Sequence, residues 1–288
     1  MESNVFTVTP MTQKVSLDAG DTYEGDIVVA NPANATADFK YKVEISGYGV
    51  INNEKTGDYG IDFLTDSERV QIAKWITIDK PSGTLKPNES TKIHYKVVVP
   101  EEAPAGGQYA AFLISSDNDN VATEGVAVNN VFEMASILYA QISGDLIHDG
   151  KILETSVPGF VTNTPIATTA SFKNQGNIHE TARITLQVKN FITSEVIYPK
   201  PGENDTIEEV VMPDTERYVS VRNIDGISPL GIYKVDQTVS YMGNSEVTHK
   251  VVIACPLWFM ALVLLTIAAI VATITVSVKK QRRKKRVF

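Results

Sequence analysis

The chain has 288 residues, with 34 Asp and Glu against 26 Lys and Arg for a formal net charge of −8, and it has one cysteine. An acidic balance of this size argues against nucleic acid as a partner, and a lone cysteine excludes a disulfide-stapled scaffold, so the fold must rest on apolar cores. The length is that of about two domains and a further segment.

The chain opens MESNVFTV, which is polar and strand-like and has neither the basic region nor the apolar stretch of an export signal. Period-two alternation then runs through Asp26 to Ala30 and through Phe39, Tyr41, Val43 and Ile45, the pattern of strands with one buried face. The loops Gly47-Tyr48-Gly49 and Asp58-Tyr59-Gly60 make Tyr48 and Tyr59 candidate glycan contacts, because each joins an aromatic face to a hydroxyl. Both residues also suit a turn or a packing role. Thr65 followed by Glu68 has capping-box spacing and predicts a short helix. Trp75, Ile76 and Ile78 begin a strand, with Trp75 expected in the core.

Alternation resumes in Ile93, Tyr95, Val97 and Val99, and places His94 on the opposite, exposed face. Pro100 stops that strand, and Gly106-Gly107 allows the reversal that starts the next at Tyr109. Asp117 to Asn120 carry oxygen-bearing side chains suited to Ca²⁺, but lack the spacing of a twelve-residue calcium loop and read equally as a hydrophilic hairpin loop. A long apolar strand from Gly125 to Tyr139 closes a first domain, residues 1–136.

A second domain, residues 137–246, shows the turn Asn174-Gln175-Gly176-Asn177-Ile178-His179 and alternation over Ile184 to Val188 and Tyr233 to Tyr241. Between them lies an acidic strand, Ile207-Glu208-Glu209-Val210-Val211. Asn174, Asn177, His179, Glu208 and Glu209 are candidate contacts for a protein partner, with His179 alternatively bonding across its own turn. The fold class expected is all-β: two tandem immunoglobulin-like β-sandwiches followed by a single transmembrane helix.

Residues 247–250 read as a short link. Val251 to Val278 then form an uncharged run of 28 residues, about 42 Å as a helix and long enough to cross a bilayer core of about 30 Å. Pro256 falls in its first turns, Cys255 falls inside it, and Trp258 fits the outer aromatic belt. Lys279, Lys280, Arg282, Arg283, Lys284, Lys285 and Arg286 follow at once. Such a cluster holds its end in the cytoplasm and places residues 1–250 outside the plasma membrane. Without these seven, residues 1–250 carry 19 Lys and Arg against 34 Asp and Glu, a balance of −15. Export in this orientation calls for a signal peptide, which is expected to have been removed.

No catalytic pattern is present. His94, His148, His179 and His249 are scattered without metal-ligand spacing, and Asp58, Asp62, Asp66 and Glu68 form an acidic patch without organised ligands. Nucleophile-elbow, phosphate-loop and zinc-protease motifs are missing, and no carboxylate pair is marked as a glycosidase site. The expectation is a protein without enzyme activity, cofactor or bound metal, one that recognises partners through loops and sheet edges.

Trp75, Leu85-Lys86-Pro87, Val99-Pro100, Ala103, Gly106-Gly107 and Tyr109 together resemble a bacterial cell-surface immunoglobulin-like module. With the Asn174 to His179 turn, the C-terminal apolar run and the basic tail, the whole chain resembles the WxL-interacting protein family. That resemblance implies a first module that binds peptidoglycan or a wall glycan, a second that binds a WxL-type surface protein or a host protein, and contact with membrane lipid. The implied function is a noncatalytic membrane-anchored surface adaptor. The alternative is a structural spacer or assembly subunit of a cell-envelope complex.

Overall fold

The computed structural model describes residues 6–53, 58–62, 70–116, 133–200, 202–203, 205–222 and 227–284. The described residues are all-β apart from one 3₁₀ turn and a C-terminal helix. It divides into two compact units, and these are not contiguous in sequence. Residues 1–150 make up the first together with Lys173–Glu180 and Val210–Arg217, and the remaining residues make up the second.

In the first unit the strands are β1 (Thr7–Thr9), β2 (Thr12–Leu17), β3 (Thr22–Ala30), β4 (Phe39–Gly47), β5 (Gly49–Asn53) and β6 (Asp58–Asp62). The 3₁₀ turn Ile72–Trp75 follows, then β7 (Ile76–Ile78), β8 (Ser82–Leu85), β9 (Ser90–Val98), β10 (Gly106–Ser116) and β11 (Glu133–Ile142). One sheet has the order β1-β3-β9-β7 and the other β2-β11-β10-β4-β8, while β5 and β6 form a separate hairpin.

The alternation in the sequence accounts for what lies between the two sheets. Ile93, Tyr95 and Val97 of β9 and Ile27 and Val29 of β3 point inward from one sheet, and they meet Tyr41, Val43, Phe112, Ile114 and Leu138 from the other. Tyr95 and Phe112 pack with ring centroids 4.7 Å apart. Each large side chain removed from water in this way contributes about 2–3 kcal/mol before entropy is counted. Trp75 ends the 3₁₀ turn and packs on the edge of this core, and the strand begins one residue later than expected. The predicted helix at Thr65 to Glu68 lies outside the described residues.

The rest of the chain supplies β12 (Gly150–Ser156), β13 (Phe160–Val161), β14 (Ala167–Asn174), β15 (Glu180–Asn190), β16 (Val196–Tyr198), β17 (Thr206–Val211), β18 (Glu216–Arg222), β19 (Gly231–Tyr241) and β20 (Asn244–Ala254). Strands β12-β14-β18 form one sheet, and β13-β20-β19-β15-β16 form another in which β17 also pairs with β15. Within the second unit, Phe172 of β14 packs on Tyr241 of β19, with centroids 5.3 Å apart. Gln237 is fully buried in the middle of β19 and donates to the Thr169 carbonyl at 3.3 Å.

Two expected boundaries move. Residue 136 falls inside β11, whose whole length pairs with β10 and whose Ile137–Ile142 half also pairs with β2, so the first set of sheets runs on to Ile142. Residues 247–250 are not a link: with Val251 to Ala254 they belong to β20, paired with β19 along its length. Val251 to Ala254 therefore belong to a sheet, with Val252 and Ala254 in its core. Cys255 is likewise tied to the sheet, its N–H donating to the Val161 carbonyl at 2.9 Å. Helix α1 (Leu257–Lys284) starts two residues beyond the strand. Pro256 caps it from outside, its carbonyl accepting from the N–H groups of Phe259 and Met260. The stretch Leu257–Lys279 is 23 residues long, apolar and unburied, and suffices to span a membrane.

Candidate functional site

Strand β10 is buried on both faces, and its second face organises the polar residues that the sequence singled out. Ala110, Phe112 and Ile114 enter the core, while Tyr109 and Ala111 face the other way and pack with Tyr48, Tyr139 and Met212. Tyr109 and Tyr139 meet edge to face at 5.6 Å, as do Tyr48 and Tyr139 at 5.9 Å. His179 completes the cluster, its ring 5.0 Å from Tyr139 and 5.5 Å from Tyr109. Its backbone N–H donates to the Tyr109 hydroxyl at 2.9 Å.

The Asn174 to His179 turn is locked to its surroundings by both asparagines. Asn174 is fully buried; its amide donates to the carbonyls of Ile178 and Val211, and its Oδ1 accepts from the Gly176 N–H. Asn177 donates to the Asp145 and Ala105 carbonyls, and its Oδ1 accepts from the Ile147 N–H at 2.8 Å. The Gly107 N–H closes the circuit by donating to the Asn177 carbonyl at 2.8 Å. Glycines are needed where backbones touch: a Cβ on Gly106 would lie 2.5 Å from the Asn177 carbonyl oxygen, and one on Gly176 would lie 2.1 Å from that of Ile147. The Gly106-Gly107-x-Tyr109 segment and the Asn174 to His179 turn, read in the sequence as separate signals, are two halves of one interlocked structure.

That burial sets the electrostatics. Desolvation first, and the nearby Lys14 cation second, push the His179 imidazole down to about 4, so it is neutral at pH 7. Its Nδ1 lies 3.3 Å from the Tyr109 hydroxyl, so the ring is held in the tyrosine cluster as a packed and hydrogen-bonded neutral group.

The remaining sequence candidates are dispersed. Tyr48, at 8% exposure, is a packing residue of the tyrosine cluster rather than a surface contact. Tyr59 lies on β6 opposite Asn52 of β5. Glu208 is exposed and accepts from Arg183 Nε at 2.8 Å; Glu209 beside it is half-buried. Trp258 is 63% exposed in the first turn of α1, and Lys279 is exposed near its end. Lys280, Arg282, Arg283 and Lys284 continue the helix, while Lys285 and Arg286 lie outside the described residues, as do Asp117 to Asn120.

Two charged clusters were not foreseen, because each joins strands far apart in sequence. On β3 and β9, Asp26 bonds both His94 Nδ1 and Lys92 Nζ at 3.0 Å. The bond from Asp26 holds the His94 imidazole above its ordinary range, against the weaker effect of desolvation. His94 is expected to titrate in NMR above about 6.5 and to fall back toward that value in Asp26→Asn; an unchanged His94 titration in the variant contradicts the pairing. In the second unit, Asp236 accepts from His249 at 2.7 Å and from Lys189 at 3.0 Å. Desolvation raises the Asp236 carboxyl, but these two bonds outweigh it and leave the pKa below the usual carboxylate value. A cleft of about 340 Å³ opens beside this pair, lined by Thr185, Gln187, Asp205, Thr238 and their neighbours. Asp205 accepts a short hydrogen bond from the Tyr198 hydroxyl. Both acids of the cleft are thus engaged in structural bonds. Among the described residues, no group of three or more His, Cys, Asp or Glu is arranged to hold a metal ion.

No protein-family model and no curated protein matches the chain. Among solved structures it is similar to the CsuC–CsuE chaperone–tip adhesion subunit pre-assembly complex of Acinetobacter baumannii, at 12% identity and a TM-score of 0.39, covering 85% of this chain and 98% of that one. It is also similar to the SafA pilin–SafB chaperone complex of Salmonella enterica, at 12% identity and a TM-score of 0.38, covering 88% and 98%. The class 5 fimbriae chaperone CfaA gives 9% identity and a TM-score of 0.38, covering 85% and 99%.

Proposed function

We propose that this protein is a noncatalytic adaptor held at a bacterial cell surface by α1, with its β-sheet units outside the plasma membrane and its basic tail in the cytoplasm. In this reading the chain is a WxL-interacting protein built from two tandem immunoglobulin-like sandwiches. The first contacts peptidoglycan or another wall glycan, and the second contacts a WxL-type surface protein or a host protein. The observation that carries the proposal is the run of β20 into an unburied apolar helix, which leaves every strand on the N-terminal side of the segment suited to lipid. The seven cations directly beyond the apolar stretch, against Lys250 as the sole Lys or Arg in residues 237–256, support the orientation.

Recognition then falls to exposed loops and strand edges, since the Asn174 to His179 turn is consumed by internal bonds. Strand β12 stands at the edge of its sheet, the position at which a further strand can be added. The same edge supports a second reading, a spacer or envelope-assembly subunit that associates laterally. Crosslinking on intact native cells, followed by identification of what is attached, separates them. Wall glycan or a secreted surface protein is expected. Recovery of only further copies of this chain favours the spacer, and protection of residues 1–250 from protease in sealed cells defeats both.

A further inference from the structure

Where the second unit approaches α1, its sheet carries a row of apolar side chains on the outer face. Phe160 of β13 pairs with Ile253 of β20, and Ile253 pairs with Ile232 of β19. The Phe191 N–H donates to the Ile232 carbonyl at 3.1 Å, which extends the same row beyond β15. These four are between 41% and 48% exposed, and Ile192, next in the turn, is 89% exposed. Cross-strand partners stand on one face about 5 Å apart, so Phe160, Ile253, Ile232 and Phe191 form a continuous strip and not scattered exceptions, and Ile192 prolongs it along the chain into the turn.

The position of the strip identifies its occupant. Ile253 lies four residues before Leu257, the first residue of α1, and at most about 13 Å of chain separates them at roughly 3.3 Å per residue. A bilayer's interfacial layers add about 5–8 Å to each side of its hydrocarbon core, so a helix whose apolar stretch begins at Leu257 brings the strip to headgroup depth. The next row out carries Lys234, which is paired in register with Val251 and Lys189 and has its ammonium 5.4 Å over the Phe191 ring and 3.3 Å from Ser194 Oγ. Lys189 in that row is neutralised by Asp236. An apolar edge backed by a cation is the arrangement that settles at an anionic lipid interface.

We infer that the Phe160–Ile253–Ile232–Phe191–Ile192 strip docks into the outer headgroup region of the membrane and fixes the tilt of the second unit on its helix. This rests on the reading of α1 as membrane-spanning.

The test uses the full chain, with Cys255→Ser and a single environment-sensitive fluorophore attached through Ile192→Cys, Ile232→Cys or Val247→Cys, reconstituted in vesicles of neutral and anionic phospholipid. Val247 is exposed on the same strand about 20 Å from Ile253, at roughly 3.3 Å per residue. Labels at 192 and 232 are expected to lose intensity to lipids carrying a quencher near the headgroup, and less to lipids quenched deep in the chains; the label at 247 is expected to lose none. Equal, negligible quenching at all three sites in a chain that resists alkaline extraction overturns the docking while leaving the anchor intact. Extraction of the chain by alkali overturns the anchor and the docking together. A shielded label at 192 that ignores lipid quencher and is released on dilution with unlabelled vesicles assigns the strip to a second copy of the chain, and also overturns the proposal.

Discussion

Replacing Gly176 by alanine is expected to destabilise the first unit by about 3 kcal/mol, near the upper end for a forced overpacking. The new methyl would sit 2.1 Å from the Ile147 carbonyl oxygen and 3.1 Å from the Asp149 nitrogen, both backbone atoms with no rotamer to adjust. The Ile147 carbonyl also accepts from Asn177, and the Ile147 N–H donates to the Asn177 side chain, so any shift breaks the circuit that seats the turn. Urea unfolding followed by Trp75 fluorescence reads the change, and Gly159→Ala is the control because its Cβ meets only the end of the Lys250 side chain, at 3.7 Å. Equal midpoints for the two variants contradict this account of the turn.

Acidification produces the second large effect, through His179. Its folded-state pKa lies near 4, below the ordinary value of about 6.5, so the unfolded chain takes up the proton first. Stability is therefore full above about pH 6.5, falls as the pH drops toward 4, and levels off below that. A shift of this size is worth at most about 3 kcal/mol, because the imidazole is not wholly shielded from water. Unfolding free energies measured across pH 4–7 should show this slope in the native chain and lose it in His179→Gln. The variant is also expected to be weaker at pH 7, having lost ring contacts with Tyr109 and Tyr139. An acid slope that survives the substitution places the titration elsewhere.

The sequence was legible wherever one strand face met the core and the other met water. Ile93, Tyr95 and Val97 alternate with His94 and Lys96 in the chain and in space. It was less legible at β10, where no face meets water. The cover for its second face comes from Tyr48, Tyr139 and Met212, which local periodicity cannot assign to it. The candidate site suffered most from this: Asn174, Asn177 and His179 carry the polarity of a recognition loop, yet the carbonyls and hydroxyl that satisfy them lie up to 72 residues away. Val251 to Ala254 misled in another way. Hydropathy does not distinguish a strand with two core residues and two outward apolar ones from the start of a helix.

The passage from β20 to α1 through Cys255 and Pro256 alone limits where this molecule can act. Two extended residues reach no further than about 7 Å. For a chain held in lipid by α1, the second unit has almost no leash, and any ligand it bound would be met only in a thin layer of fixed height above the bilayer. Within that layer the local concentration of the binding surface is high; beyond it, negligible. Reach toward distant targets would have to come from the ligand or from an inserted spacer at this one point in the chain.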